Sequence, residues 1–156
     1  EDFAKTIPVV RPSVLQSWAH ALDDHFIRPG SPVSKLMEQN GITFVAFSPL
    51  AQARLLDKYD PTKPPSIEPG DHRENSQAFK AEAIAELKPK LEKLKARFGA
   101  SIEDLAAVAL NYVLAMPSVA CVIPGFRNER QVRVNVGAAG RTLTADDLKF
   151  IQEALA

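Results

Sequence analysis

Two long stretches of the chain place apolar residues at helical spacing. From Gln77 to Phe98 the residues Phe79, Ala83, Ile84, Leu87, Leu91 and Leu94 share one side, which predicts an amphipathic helix that Pro89 kinks or divides and Gly99 stops. Ser101 with Asp104 three places later predicts the cap of a second helix, in which Ile102, Leu105, Ala106, Ala109, Leu110, Val113 and Leu114 form a core stripe that closes at Met116-Pro117. Elsewhere the pattern changes to short, nearly unbroken apolar runs. Ile42 to Ser48 and Val119 to Pro124 read as strands buried on both faces, as in a parallel sheet, and Pro49 ends the first because proline cannot continue a ladder. Ser13 to Gln16 reads as a third, brief strand with Gln16 at its C-terminal end.

The rest of the chain fills in around these. Glu1 to Thr6 is a polar lead that gives the impression of starting within a longer pattern, and Ile7 to Val10 is a separate apolar piece before Arg11-Pro12. Ser17 to Arg28 has no clean period and reads as a loop with partial helix. Ser31-Pro32 caps a short helix to Gln39, which Asn40-Gly41 ends. Residues 60–76 are dense in proline and glycine, the composition of a lid or a disordered loop. Thr144 caps a last amphipathic helix with Leu148, Ile151 and Leu155. Strands alternating with helices predict an α/β domain with right-handed crossovers, whose function gathers beyond the strands' C-terminal ends.

One strand end carries candidate chemistry. After Val122-Ile-Pro-Gly125 come Phe126 and Arg127, and Asn128 is a good N-cap with Gln131 three residues on, so a helix is expected from Glu129. Free N–H groups at that helix start, the positive end of its dipole and the planar Arg127 fork suit a phosphate. Gln131 and Asn135 are four apart and share a helical face, where both can hydrogen-bond a polar ring. A capped helix with solvated side chains is the plainer reading of the same residues.

Composition narrows the classes. A chain of 156 residues suits one domain, and 19 basic against 19 acidic residues leave no broad electrostatic footprint for nucleic acid or an acidic membrane. The single Cys121 lies in an apolar run, which predicts a buried inert thiol and a reducing compartment. With no signal-type leader and no long apolar run, a cytoplasmic location is expected, with no membrane or nucleic-acid partner. His20 and His25 lack further ligands at metal spacing, so no metal is expected.

Gly41-Ile-Thr-Phe-Val-Ala-Phe-Ser-Pro-Leu-Ala51, followed by Val122-Ile-Pro-Gly-Phe-Arg127 and then Gln131 and Asn135, resembles the C-terminal half of an aldo-keto reductase. The resemblance covers nearly the whole chain and is most specific at the Ser-Pro-Leu turn and at the segment from Ile123 to Asn135. It implies a single unit, residues 1–156, forming part of an eight-stranded (β/α)8 barrel, the TIM barrel: about strands six to eight with their helices and a C-terminal helix. It further implies NADP(H), bound in extended form, and reduction of carbonyls to alcohols by hydride transfer. Position by position, Gln16 falls where a glutamine bonds the nicotinamide carboxamide, and Phe47 where an aromatic ring stacks on the nicotinamide, usually tyrosine or tryptophan. Ser48, Pro49 and Leu50 match the turn beside the pyrophosphate; Gly125, Phe126 and Arg127 match the segment at the adenosine 2′-phosphate; Gln131 and Asn135 match phosphate and adenine contacts. Residues 60–76 would be the flap that closes on the cofactor. Val134 departs from a frequent glutamate, and Ala53 and Asp57 stand where the family often has glycine.

The family's catalytic tyrosine, lysine, aspartate and histidine belong to the other half of the barrel. The tyrosines present, Tyr59 and Tyr112, lack the matching surroundings, and a β/α barrel typically needs about 250 residues to close. The expectation is a cofactor-binding half, inactive alone, whose N-terminal half is supplied by another chain or was lost through truncation of the reading frame, and which meets a small carbonyl substrate only when that half completes it. The alternative is a non-catalytic half-barrel module that binds cofactor or assembles as a homodimer to cover its open edges.

Overall fold

The computed structural model describes residues 2–156. Six helices and three strands follow in the order α1 (Asp2–Val10), β1 (Val14–Trp18), α2 (Pro32–Asn40), β2 (Thr43–Phe47), α3 (Ala81–Phe98), α4 (Ile102–Leu114), β3 (Val119–Ile123), α5 (Glu129–Gly137) and α6 (Ala145–Leu155), with short 3-10 turns between some of them. The three strands form one parallel sheet in sequence order, β1-β2-β3. Register is fixed across it: Gln16 lies beside Val45 and Val45 beside Cys121, while Trp18, Phe47 and Ile123 align at the C-terminal edge. An irregularity between Phe44 and Val45 lets β3 gain a residue on β2.

The sequence accounts for most helix ends. Ser31 accepts from the Ser34 N–H at 3.2 Å with Pro32 at the first helical position, and Gly41 closes α2 at φ 64. Ser101 caps α4 on the Asp104 N–H at 3.0 Å. Just before it, Gly99 sits at φ 108, and an added Cβ would collide with the Asp104 side chain. Thr144 and Asp147 make a reciprocal capping box at the start of α6.

The core lies on one side of the sheet. Phe44 and Ala46 of β2 point into it and meet Leu105, Val108, Ala109, Tyr112 and Val113 of α4, Leu91 and Leu94 of α3, and Ile151 of α6. Burying a large aliphatic side chain in such a core is worth about 1.5–3 kcal/mol, so the α4 stripe anchors the fold.

Four expectations change. Residues 2–10 are helical, with Pro8 inside α1 and Ile7 buried, where the sequence suggested a lead and a separate apolar piece. Pro8 is the seventh residue of α1, beyond the four N–H groups that have no intrahelical partner, so the helix forgoes a bond to the Ala4 carbonyl there. The stretch from Gln77 to Phe98 breaks at Lys80, not at Pro89: a 3-10 turn spans Gln77–Phe79 and α3 runs through Pro89 unbroken. β1 continues two residues past Gln16 to Trp18. Finally, β2 and β3 are covered on one face only. Val14, Trp18, Phe47 and Ile123 remain 37–49 % exposed on the other face, and Cys121 is exposed there instead of buried. Continuous apolar runs do mark strands meant to be covered on both sides, but among the described residues nothing supplies the second cover. No helix is long and apolar enough to cross a membrane among the described residues.

Candidate functional site

The C-terminal edge of the sheet and its open face collect most of the predicted residues. Gln16 is exposed at the middle of β1, directly beside Val45, and among the described residues its amide has no hydrogen-bond partner. It therefore stands about two residues below the strand end, near 6.6 Å by strand rise. Phe47 ends β2 on the same open face with its ring 37 % exposed.

Ser48 turns the chain at φ 56, and the two residues after it leave the site's surface. Pro49 is fully buried and Leu50 is half-buried against the core, so their side chains wedge the turn in place and can offer a ligand only their backbone. Beyond them Ala51, Gln52 and Ala53 continue at φ 48, 56 and 67, and Asp57 adopts φ 53. Left-handed backbone costs a residue with a Cβ roughly 1–2 kcal/mol, so this turn is held by its surroundings. Among the described residues no acceptor is found for the N–H groups of Gln52 and Ala53.

At the third strand end, Asn128 caps α5 through Oδ1, which accepts from the Gln131 N–H at 3.0 Å. The Gln131 side chain reaches one residue further back than a capping box requires: its Oε1 accepts from the Arg127 N–H at 2.6 Å. That bond fixes the Arg127 backbone and leaves the Gln131 NH2 group for other acceptors. Asn135 donates to the Gly125 carbonyl at a long 3.5 Å. Phe126 is 65 % exposed, and Arg127 is exposed with no carboxylate partner among the described residues, whereas Arg133 is paired with Glu129 and Arg130 with Glu103. Gly125 has open space where a Cβ would stand and no left-handed φ, so the chain itself does not require glycine there.

A cluster that the sequence did not single out lies beyond β1. Trp18 Nε1 donates to Asp23 Oδ2 at 2.9 Å, His25 bonds the other Asp23 oxygen, and Phe26 packs edge-on to Trp18 with ring centroids 5.3 Å apart. Burial would raise the Asp23 carboxyl, but the hydrogen bonds from His25 and Trp18 outweigh it and hold it below the ordinary value. Behind this cluster Asp24, 2 % exposed, pairs with Arg28 at 2.6 Å and accepts from the Tyr112 hydroxyl at 2.6 Å, while Gln152 donates to that hydroxyl at 3.1 Å. Burial, then the bond to Asp24, pushes the Tyr112 phenol far up. Tyr59 is also spent, donating to the Gln52 carbonyl at 2.9 Å. Both tyrosine hydroxyls thus serve the scaffold. The Asp24–Tyr112 pair spans 88 positions, beyond any local pattern; the Trp-x4-Asp-x-His spacing was visible, but carries no specific chemistry by itself.

Residues 60–76 contain no helix or strand, only turns and one isolated bridge between Asp60 and Lys63. The segment touches the strained turn where His72 Nε2 meets Gln52 Nε2 at 3.0 Å.

Comparison with known proteins agrees across three measures. The model of the Aldo/keto reductase family matches residues 3–156. An uncharacterised oxidoreductase of Mycobacterium tuberculosis is 33 % identical over 155 residues, covering 98 % of this chain and 44 % of that protein. The aldo-keto reductase str7 of Strobilurus tenacellus is 30 % identical over 116 residues, 72 % of this chain and 33 % of that one. Among solved structures, the glycerol dehydrogenase AKR11B4 of Gluconobacter oxydans superposes with a TM-score of 0.76 at 19 % identity, and the holo form of aldo-keto reductase AKR11C1 of Bacillus halodurans with 0.68 at 24 %; each shares its α/β fold over 46 % of its own length. The chain spans a third to about half the length of the proteins it matches.

Proposed function

We propose, on the premise that this chain belongs to the aldo/keto reductase family, that it is the cofactor-binding half of an NADP(H)-dependent oxidoreductase acting on small carbonyl compounds. In this reading β1, β2 and β3 are about the last three strands of a (β/α)8 barrel. The open face is the barrel's interior, closed by strands outside this sequence. The observation that carries the reading is the gathering, among the described residues, of unspent groups along one face and one edge of the sheet: the Gln16 amide, the exposed Phe47 ring, the free N–H groups of Gln52 and Ala53, and Arg127 without a carboxylate.

These residues fit a nicotinamide dinucleotide by chemistry. Gln16 offers an amide to the carboxamide and Phe47 a flat apolar face to the nicotinamide ring. The turn after β2 offers N–H donors to the diphosphate. Gly125 leaves room for close backbone approach, Arg127 offers a planar cation to the 2′-phosphate, and Gln131 and Asn135 offer amides toward the adenosine. When bound, the cofactor supplies the hydride for carbonyl reduction. The chain's own part is to orient it: the Gln131–Arg127 bond fixes the phosphate end, and Pro49 locks the start of the turn between the two ends. Proton donation to a carbonyl needs a group within hydrogen-bond reach, and both tyrosines here are engaged elsewhere, so the acid belongs to the complementing strands.

The test is equilibrium titration of the chain with NADPH, followed by fluorescence. Arg127→Ala should weaken NADPH about tenfold or more while changing NADH by less than about threefold, since a charge-assisted phosphate contact is worth roughly 1.5–3 kcal/mol. Equal affinity of parent and variant for NADPH would place the phosphate elsewhere. The half-exposed apolar face also favours a second reading, a non-catalytic module that pairs with its own copies. Light scattering that shows a stable monomer across concentrations would rule it out.

A further inference from the structure

The turn after β2 holds five left-handed residues between Ser48 and Asp57, and none of them is glycine. Such a backbone persists only where its surroundings over-determine it. Two of its tethers come from the neighbouring loop: the Tyr59 hydroxyl donates to the Gln52 carbonyl, and the Gln52 side chain meets His72. The third comes from a rigid element. Asp57, itself left-handed at φ 53, places its two carboxylate oxygens on Lys88 at 2.6 Å and on Lys95, both from α3. Lys88 and Lys95 are seven residues apart, two helical turns, and so face the turn from one side of the helix. The Asp57 side chain is only 11 % exposed and Lys95, which also bonds Glu92 at 2.8 Å, only 19 %, so solvent screens this cluster much less than an ordinary surface pair.

We propose that Asp57 is a positioning residue for the cofactor: gripped by Lys88 and Lys95, it holds the Ser48–Ala53 turn in the left-handed course that leaves the Gln52 and Ala53 N–H groups free to donate to a diphosphate. The inference rests on the cofactor reading above and adds to it a role for a carboxylate that cannot itself touch an anion. It also gives α3, a helix remote from the strand ends in sequence, a direct hold on the site's geometry. Losing the grip lets the turn relax toward right-handed backbone, and the N–H donors then turn away from the diphosphate while the Arg127 end keeps its shape.

The experiment compares two ligands on the parent chain, on Asp57→Asn and on the double variant Lys88→Gln/Lys95→Gln. One ligand is NADPH, which spans the whole groove; the other is adenosine 2′,5′-bisphosphate, which reaches only the Arg127 end. Both variants should weaken NADPH about tenfold, the equivalent of one well-placed hydrogen bond, and leave the bisphosphate within about twofold. Amide hydrogen exchange should quicken at residues 50–57 and stay unchanged in α5. Unchanged NADPH affinity, or equal weakening of both ligands, overturns the proposal. So does failure of both variants to fold, which would make the cluster a stability contact. A parent chain that binds neither ligand overturns the cofactor reading itself, and this inference with it.

Discussion

Replacing Tyr112 by phenylalanine tests how the loop beyond β1 is tied to the core. Tyr112 is 1 % exposed and its hydroxyl donates to Asp24 Oδ2 at 2.6 Å; Asp24 is 2 % exposed, with Arg28 satisfying its other oxygen at 2.6 Å. Phenylalanine keeps the ring packing and removes one hydrogen bond to a buried carboxylate. Such bonds contribute about 1.5–3 kcal/mol, and the orphaned oxygen cannot readily recover its loss from water. Gln152 loses its acceptor as well, but it is only part-buried and adds little. The expected destabilisation is therefore about 2–3 kcal/mol, which for a chain of this size lowers Tm by about 4–12 °C. Chemical denaturation should show a lower midpoint with an unchanged m-value. An Asp24→Asn/Tyr112→Phe double-mutant cycle should return a coupling energy above about 1 kcal/mol. A loss below about 0.5 kcal/mol, or no coupling, would refute the view that this pair anchors the loop carrying Asp23, His25 and Phe26.

Other expectations are simpler. Ala53→Gly removes a side chain at φ 67 and should stabilise the chain by about 0.5–1 kcal/mol after allowing for the greater unfolded-state freedom of glycine, measured by urea denaturation; a loss would mean the turn is not strained. Gly125→Ala should leave Tm within about 1 °C, because a Cβ there meets nothing in the chain, while weakening NADPH about tenfold if a ligand fills that space. Burial holds the His20 imidazole below its ordinary 6.5 against the pull of Asp23, and among the described residues its Nδ1 has no partner. The unfolded chain then takes up that proton first as pH falls, so stability from neutral His20 is complete above about 6.5 and declines below it. His20→Gln should flatten the loss of Tm between pH 7 and 5, and an unchanged slope would put the titrating group elsewhere.

The sequence made the periodic parts of the fold legible and the non-local parts not. α4 follows from its apolar spacing and its Ser101 cap, and α5 from Asn128, because those signals are local and reinforce one another. α1 escaped because Pro8 and a polar start hide a helix whose only buried residue is Ile7. Strand ends and helix caps are local signals, so the positions of two candidate residues in the fold were legible: Phe47 closes β2, and Gln131 lies in the first turn of α5 after the Asn128 cap. Gln16 was misplaced by two residues because an alternating, partly polar strand gives no internal mark of where it stops. Ala53 and Asp57 stand where the resemblance expects glycine, and both adopt left-handed backbone. What compensates Asp57 could not be read, since its lysine partners lie 31 and 38 residues away.

The sheet's uncovered side has a further consequence, for the abundance of the protein. A parallel sheet with two free edges and a surface of Val14, Trp18, Phe47 and Ile123 displays what chaperones and proteases recognise as unfinished. On the reading in which further strands cover this face, copies whose surface stays bare would be the ones removed first, and the number that persists in a cell would follow the supply of that cover. Stoichiometry would then be enforced by turnover, with no matching of synthesis rates required.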